Sequence, residues 1–164
     1  MRTVVVLALF CLPFIGFGQG FVQTSDQLFP SNSSIVRWAD LDNDDDLDLM
    51  YYGFEPSHPA ESIPYGTYVY ENINGTFTLR PTDLPQLRAS DYALGDYDND
   101  GDLDVLLSGI TPENTDITKI FKNNGGFTFE ETYSFLGLSS SEPRWVDLDN
   151  DSDLDFVEIG RAHV

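Results

Sequence analysis

Three segments of the chain superimpose without a gap: WADLDNDDDLDLMYYG (38–53), LGDYDNDGDLDVLLSG (94–109) and WVDLDNDSDLDFVEIG (145–160). The offsets between them are 56 and 51 residues. Self-similarity at a period of about 50 residues confines a chain to architectures that stack copies of one small unit. Between the acidic segments a second pattern recurs, YVYENINGTFTLR (68–80) and KIFKNNGGFTFEE (119–131). Each is an apolar alternation, a turn of Asn and Gly, then a second alternation. That pattern encodes a β-hairpin, because Asn and Gly accept the positive φ of a tight turn. In the second repeat DYALGDY leads into the acidic loop, DVLLSGI leaves it, and ITKIFKN and FTFEETY make the hairpin. Four short strands per repeat is the make-up of a propeller blade. No segment after the N-terminal apolar run carries a helical period over a useful length.

The predicted fold is therefore all-β, a partial, open β-propeller of four-stranded antiparallel blades. Two full blades (about 33–82 and 88–135), a terminal hairpin (141–160) and a lone N-terminal strand near Phe21 are expected. Phe77 and Phe127 each open a fourth strand, and Phe21 stands at the corresponding distance before the first acidic loop. The remaining blades of a closed ring are expected to be missing from this stretch of chain.

The acidic loops, 40–48, 96–104 and 147–155, hold 16 of the 28 Asp and Glu residues, so the net charge of −20 is local. With 41% of residues hydrophobic and 13% aromatic, the chain is too apolar for a disordered acidic tail. Such charge argues against nucleic acid and anionic membranes as partners and favours cations. Crowded carboxylates repel one another, so something must neutralise them. A Ca²⁺ ion takes six to eight oxygens at about 2.3–2.6 Å, a radius that alternate side chains of a tightly coiled loop can reach.

Position one of each loop is Asp40, Asp96 or Asp147; position three is Asp42, Asp98 or Asp149; position five is Asp44, Asp100 or Asp151; position nine is Asp48, Asp104 or Asp155. Asp46, Asp102 and Asp153 at position seven are expected to contribute a backbone carbonyl. Up to three calcium sites follow. Position six needs a sharp turn: Gly101 suits it, Asp45 tolerates it better than Ser152, and the third loop is expected to bind most weakly. Leu47, Leu103 and Leu154 at position eight are expected to turn inward as anchors. An EF-hand would need a Glu at position twelve and flanking helices; Tyr51 and Leu107 stand there in the first two copies.

Residues 1–18 read as a secretory signal peptide, with Arg2, an apolar run from Val4 to Phe17 too short to span a bilayer, and small residues for cleavage. Cys11 lies inside that run, so the mature chain, residues 19–160, has neither thiol nor disulfide and no membrane span. EIGRAHV (158–164) matches the translated start of a common sequencing-library adapter. The native chain is expected to be cut off there, with Arg161 and His163 among a few artefactual residues added.

With W/L-x-D-x-D-N-D-x-D-L-D followed by a strand and an Asn-Gly-Phe hairpin, residues 21–160 resemble the FG-GAP/VCBS-type repeats, similar to the calcium-binding blades of integrin α-subunit propellers. The literal Phe-Gly and Gly-Ala-Pro signatures are absent, which favours the VCBS-like bacterial branch. The resemblance implies a secreted or surface-attached, non-catalytic module for adhesion or for binding a carbohydrate or protein ligand outside the cell. An alternative is the propeller part of a secreted polysaccharide-degrading or other hydrolytic or lyase enzyme whose catalytic residues lie in the missing region. Within this sequence no Ser/His/Asp set or phosphate loop stands apart from the acidic loops. His58 lies in a Pro-rich loop (55–65), and Trp38 and Trp145 stand at matching positions where packing between blades outweighs sugar stacking.

Overall fold

The computed structural model describes residues 6–7, 23–24, 35–54 and 65–161. Phe21, His58 with its loop (55–64), and most of the N-terminal apolar run lie outside the described residues. Twelve strands follow in chain order: β1 (Val6–Leu7), β2 (Gln23–Thr24), β3 (Ile35–Ala39), β4 (Asp48–Phe54), β5 (Tyr65–Ile73), β6 (Thr76–Arg80), β7 (Arg88–Gly95), β8 (Asp104–Ile110), β9 (Asp116–Asn123), β10 (Phe129–Leu136), β11 (Ser139–Val146) and β12 (Asp155–Arg161). Among the described residues there is no helix, and so none long and apolar enough to cross a membrane.

The strands form two antiparallel four-stranded meanders, β3-β4-β5-β6 and β7-β8-β9-β10, and a two-stranded sheet, β11-β12. These are the two blades and the hairpin that the repeat predicts, in an open arrangement. The N-terminal strand differs: Gln23–Thr24 pairs antiparallel with Val6–Leu7, so it does not stand alone. The apolar run that reads as a signal peptide supplies its partner.

Turn chemistry sets the hairpin registers. Asn74 (φ 52°) and Gly75 (φ 84°) make the two-residue turn between β5 and β6, where Ile73 faces Thr76. The second hairpin is wider. Gly125, Gly126 and Phe127 all have positive φ, and β10 opens at Phe129, opposite Asn123. Phe127 thus lies in the turn, not at the head of a strand. Its ring is buried in the core between the blades, with the Arg80 guanidinium 5.9 Å from its centroid.

Blade faces, not strand ends, hold the molecule together. Met50, Tyr52 and Val69 of the first blade meet Tyr92, Val105, Leu107 and Phe121 of the second, with Leu84 and Leu87 of the connecting segment between them. Each such side chain contributes about 1.5–3 kcal/mol on burial. The Tyr92 hydroxyl, fully buried, donates across this interface to the Met50 carbonyl, and burial pushes its pKa upward. The opposite face of the second blade buries Ala93, Leu106 and Ile120 against Trp145 and Phe156 of the hairpin. Gly95 permits this approach, because a Cβ there would lie 2.7 Å from Trp145 Cδ1. Strand β8, with neighbours on both faces, is buried almost throughout. At the inner strands Asp91 pairs with Arg37 of the first blade (3.4 Å) and Arg144 of the hairpin (3.3 Å).

Candidate metal centres

Each acidic loop joins the first strand of its sheet to the second: β3 to β4, β7 to β8 and β11 to β12. The three adopt one backbone. Position four is left-handed in all of them (Asn43 φ 61°, Asn99 φ 60°, Asn150 φ 61°), and so is position six (Asp45 φ 71°, Gly101 φ 97°, Ser152 φ 77°). Asn and Asp visit this region at low cost and Gly at none, whereas Ser is strained there.

The position-one carboxylate fixes that path by accepting backbone N–H groups on both oxygens. Asp40 accepts from Asp44 (3.1 Å) and Asp45 (3.0 Å), Asp96 from Asp100 and Gly101 (both 3.0 Å), and Asp147 from Asp151 (3.2 Å) and Ser152 (3.1 Å). Position five repeats the device one step on: Asp44, Asp100 and Asp151 accept from Asp46, Asp102 and Asp153 at 2.8–3.0 Å.

Position nine ties the loop to the sheet. Asp104 Oδ2 accepts from Tyr97 N–H (3.0 Å) and Oδ1 from Asn123 N–H on β9 (2.8 Å); Asp48 does the same with Leu41 (2.9 Å) and Asn72 on β5 (2.8 Å). Both carboxylates are 0% exposed. Asp155 on the hairpin is exposed and accepts from Leu148 N–H (3.1 Å).

In every loop the carboxylates of positions one, three and nine converge, with an oxygen from each within 4.8 Å of the others: Asp40, Asp42 and Asp48; Asp96, Asp98 and Asp104; Asp147, Asp149 and Asp155. Burial, reinforced by Asp98 and Asp100, raises Asp104 to about 6 against the two backbone N–H groups that lower it. Burial also raises Asp48 and Asp42, the latter with added repulsion from Asp44, Glu71 and Asp40. Asp42 Oδ1 is buried and takes no hydrogen bond among the described residues. A buried carboxylate oxygen without a donor, facing like charges, is the state that a hard cation relieves.

The side chains at position seven turn elsewhere. Asp46 accepts from Asn74 N–H (3.3 Å), Asp102 from Asn43 Nδ2, and Asp153 from Asn99 Nδ2 (3.2 Å). The last two contacts link position seven of one loop to position four of the preceding loop.

The expected leucine anchors hold only in part. Leu103 packs on the core between the blades and Leu154 lies against Gly95, but Leu47 is 55% exposed. The reason is geometric. Position eight faces the preceding blade, and among the described residues no blade precedes the first. Position two faces the following one: Leu41 is buried against the second blade, Tyr97 stacks on Trp145 (6.1 Å, 9°), and Leu148 is 61% exposed. Trp145 is thus a packing residue between blades, and Trp38, edge-on to Phe77 at 5.7 Å, is 44% exposed.

Two residues that sequence reasoning passed over as turn formers support the loops. Asn123 Nδ2 donates to Leu41 O (2.9 Å) and Leu103 O (3.3 Å), and its Oδ1 accepts from Gly125 N–H (3.0 Å). Asn72 donates to Leu47 O (3.0 Å) and accepts from Gly75 N–H (2.7 Å). The signal was the Asn shared by EN-ING and KN-NGG, masked because the segment 55–64 changes its distance from the loop.

Residues 96–157, from position one of the second loop to the strand after the third, match the model of the FG-GAP-like repeat. Comparison with curated proteins and with solved structures gave no match.

Proposed function

From the match of residues 96–157 to the FG-GAP-like repeat we propose that the chain is a calcium-stabilised, non-catalytic binding module of propeller type, secreted or held at the cell surface. One observation carries the reading: the convergence of three carboxylates in each of three loops that share left-handed backbone at positions four and six. The orphaned Asp42 oxygen and the raised Asp104 support it from the side of electrostatics.

Positions one, three and nine would hold the ion, with position five and the carbonyl of position seven completing an oxygen shell. Calcium would neutralise the loop and lock the first strand of a blade to the second. The protein's own residues supply the rest. Asn72 and Asn123 hold the position-nine carboxylates in place, and Leu41 and Tyr97 transmit the loop's position to the next blade. Extended surfaces between rigid blades then remain for a protein or carbohydrate ligand.

The test is thermal unfolding of the chain with CaCl₂ and with a chelator. A cation that binds only the folded state stabilises it by about 2.7 kcal/mol at a hundredfold excess over Kd. The midpoint should rise with calcium, rise far less with magnesium, and fall back on chelation. A midpoint indifferent to calcium would sink the proposal.

A further inference from the structure

The first two loops carry aspartates at the same five positions, the first with Asp45 in addition, yet the neighbouring strand presents them with opposite charges. In each blade an Asn on the third strand gives its N–H to the position-nine carboxylate, Asn72 to Asp48 and Asn123 to Asp104. The residue before that Asn therefore holds an equivalent place: Glu71 on β5 and Lys122 on β9. Strand register agrees, since Leu49 faces Tyr70 and Val105 faces Phe121, each pair one step from the residues in question.

Lys122 Nζ lies 2.8 Å from Asp100 Oδ2 and also pairs with Asp98 Oδ2, so its ammonium bridges positions three and five of the second loop. Its side chain is 28% exposed, and those of Asp98 and Asp100 are 25% and 34% exposed, which leaves the cation only partly screened. Glu71 instead pairs with Arg80 and adds its charge to the field that acts on Asp42.

We propose that Lys122 is a tethered cation that competes with the divalent ion at the second loop, so that the first loop, flanked by Glu71, fills at lower calcium. The inference rests on the calcium reading above. Position three is one of the three converging carboxylates, and an ammonium left a few ångströms from a dication repels it strongly. Calcium must therefore displace the ammonium, which the flexible lysine stem allows. Conversely, Lys122 holds the second loop together when calcium is scarce, and among the described residues the first loop shows no such ion pair to its carboxylates.

The experiment is calorimetric titration of the chain with CaCl₂, alongside K122Q and K122R, with thermal midpoints in chelator. Wild type should show sites of unequal affinity. Asp42→Ala should remove a tighter site than Asp98→Ala removes, with the third loop weaker still or silent; the reverse order of the first two overturns the proposal. K122Q should tighten the site that Asp98→Ala removes by about tenfold or more and leave the one that Asp42→Ala removes unchanged, while its midpoint in chelator falls. K122R, which keeps the charge, should titrate like wild type; tightening equal to that of K122Q would show that charge is not the cause and overturn the proposal. Wild type that binds calcium with affinities untouched by K122Q overturns this inference alone. Absence of binding by every protein removes the calcium reading and this inference with it.

Discussion

The second and third acidic loops share a backbone and differ in their surroundings. Asn99 and Asn150, and Gly101 and Ser152, occupy the same left-handed wells, and Asp96 and Asp147 accept the same pair of N–H groups. Both gather three carboxylates. Asp104, however, is completely buried and held from two sides, by Tyr97 and by Asn123 on β9, whereas Asp155 is exposed and held by Leu148. The coil of the loop is thus a local property of nine residues. The desolvation that makes its charge costly, and hence a bound cation valuable, comes from the third strand of the blade.

Breaking that comparison starts with position nine. In chelator, Asp104→Ala leaves two N–H groups without an acceptor, the buried one of Asn123 and the part-buried one of Tyr97, each costing about 1–3 kcal/mol; relief of repulsion from Asp98 and Asp100 offsets part of this. A net loss of about 3 kcal/mol is expected from urea unfolding. Asp155→Ala frees one N–H that water can reach, and should stay within about 0.5 kcal/mol. Equal losses would mean that the third strand adds nothing to the loop.

The next test leaves the carboxylates alone. Asn123→Ala removes bonds to Leu41 O, Leu103 O and Gly125 N–H at a fully buried site, and should cost about 2 kcal/mol. Asn72→Ala, at a partly exposed site with two such bonds, should cost about half as much. This contrast also marks where the sequence stops being legible. The meander order, the blade limits and the loop carboxylates follow from period and alternation, because these are properties of contiguous residues. Asn123 bridging to Leu41 and Leu47 standing exposed depend on which blade lies beside which, and Lys122 reaching Asp98 and Asp100 depends on how β9 pairs with β8 within one blade. No contiguous pattern records that. Phe127 was misplaced for a related reason: an extra glycine widens its turn, and burial in the core between the blades outweighs the cost of its positive φ.

The smallest effect isolates the loop backbone itself. A Cβ at Gly101 meets nothing within 4 Å, so Gly101→Ser adds only the penalty of a left-handed φ. Ser152→Gly removes the same penalty from the third loop, where Ser holds φ 77°. The intrinsic cost is about 1–2 kcal/mol, but glycine also gains freedom in the unfolded chain, which returns about 0.5–1 kcal/mol. Net shifts of about 0.5–1 kcal/mol, opposite in sign, should appear in urea midpoints measured in chelator. Shifts of matching size in the buried-ended second loop and the exposed third would locate the coil's stability inside the nonapeptide, independent of the third strand. A larger effect at Gly101 would instead show that β9 holds the second loop so firmly that backbone strain there cannot relax.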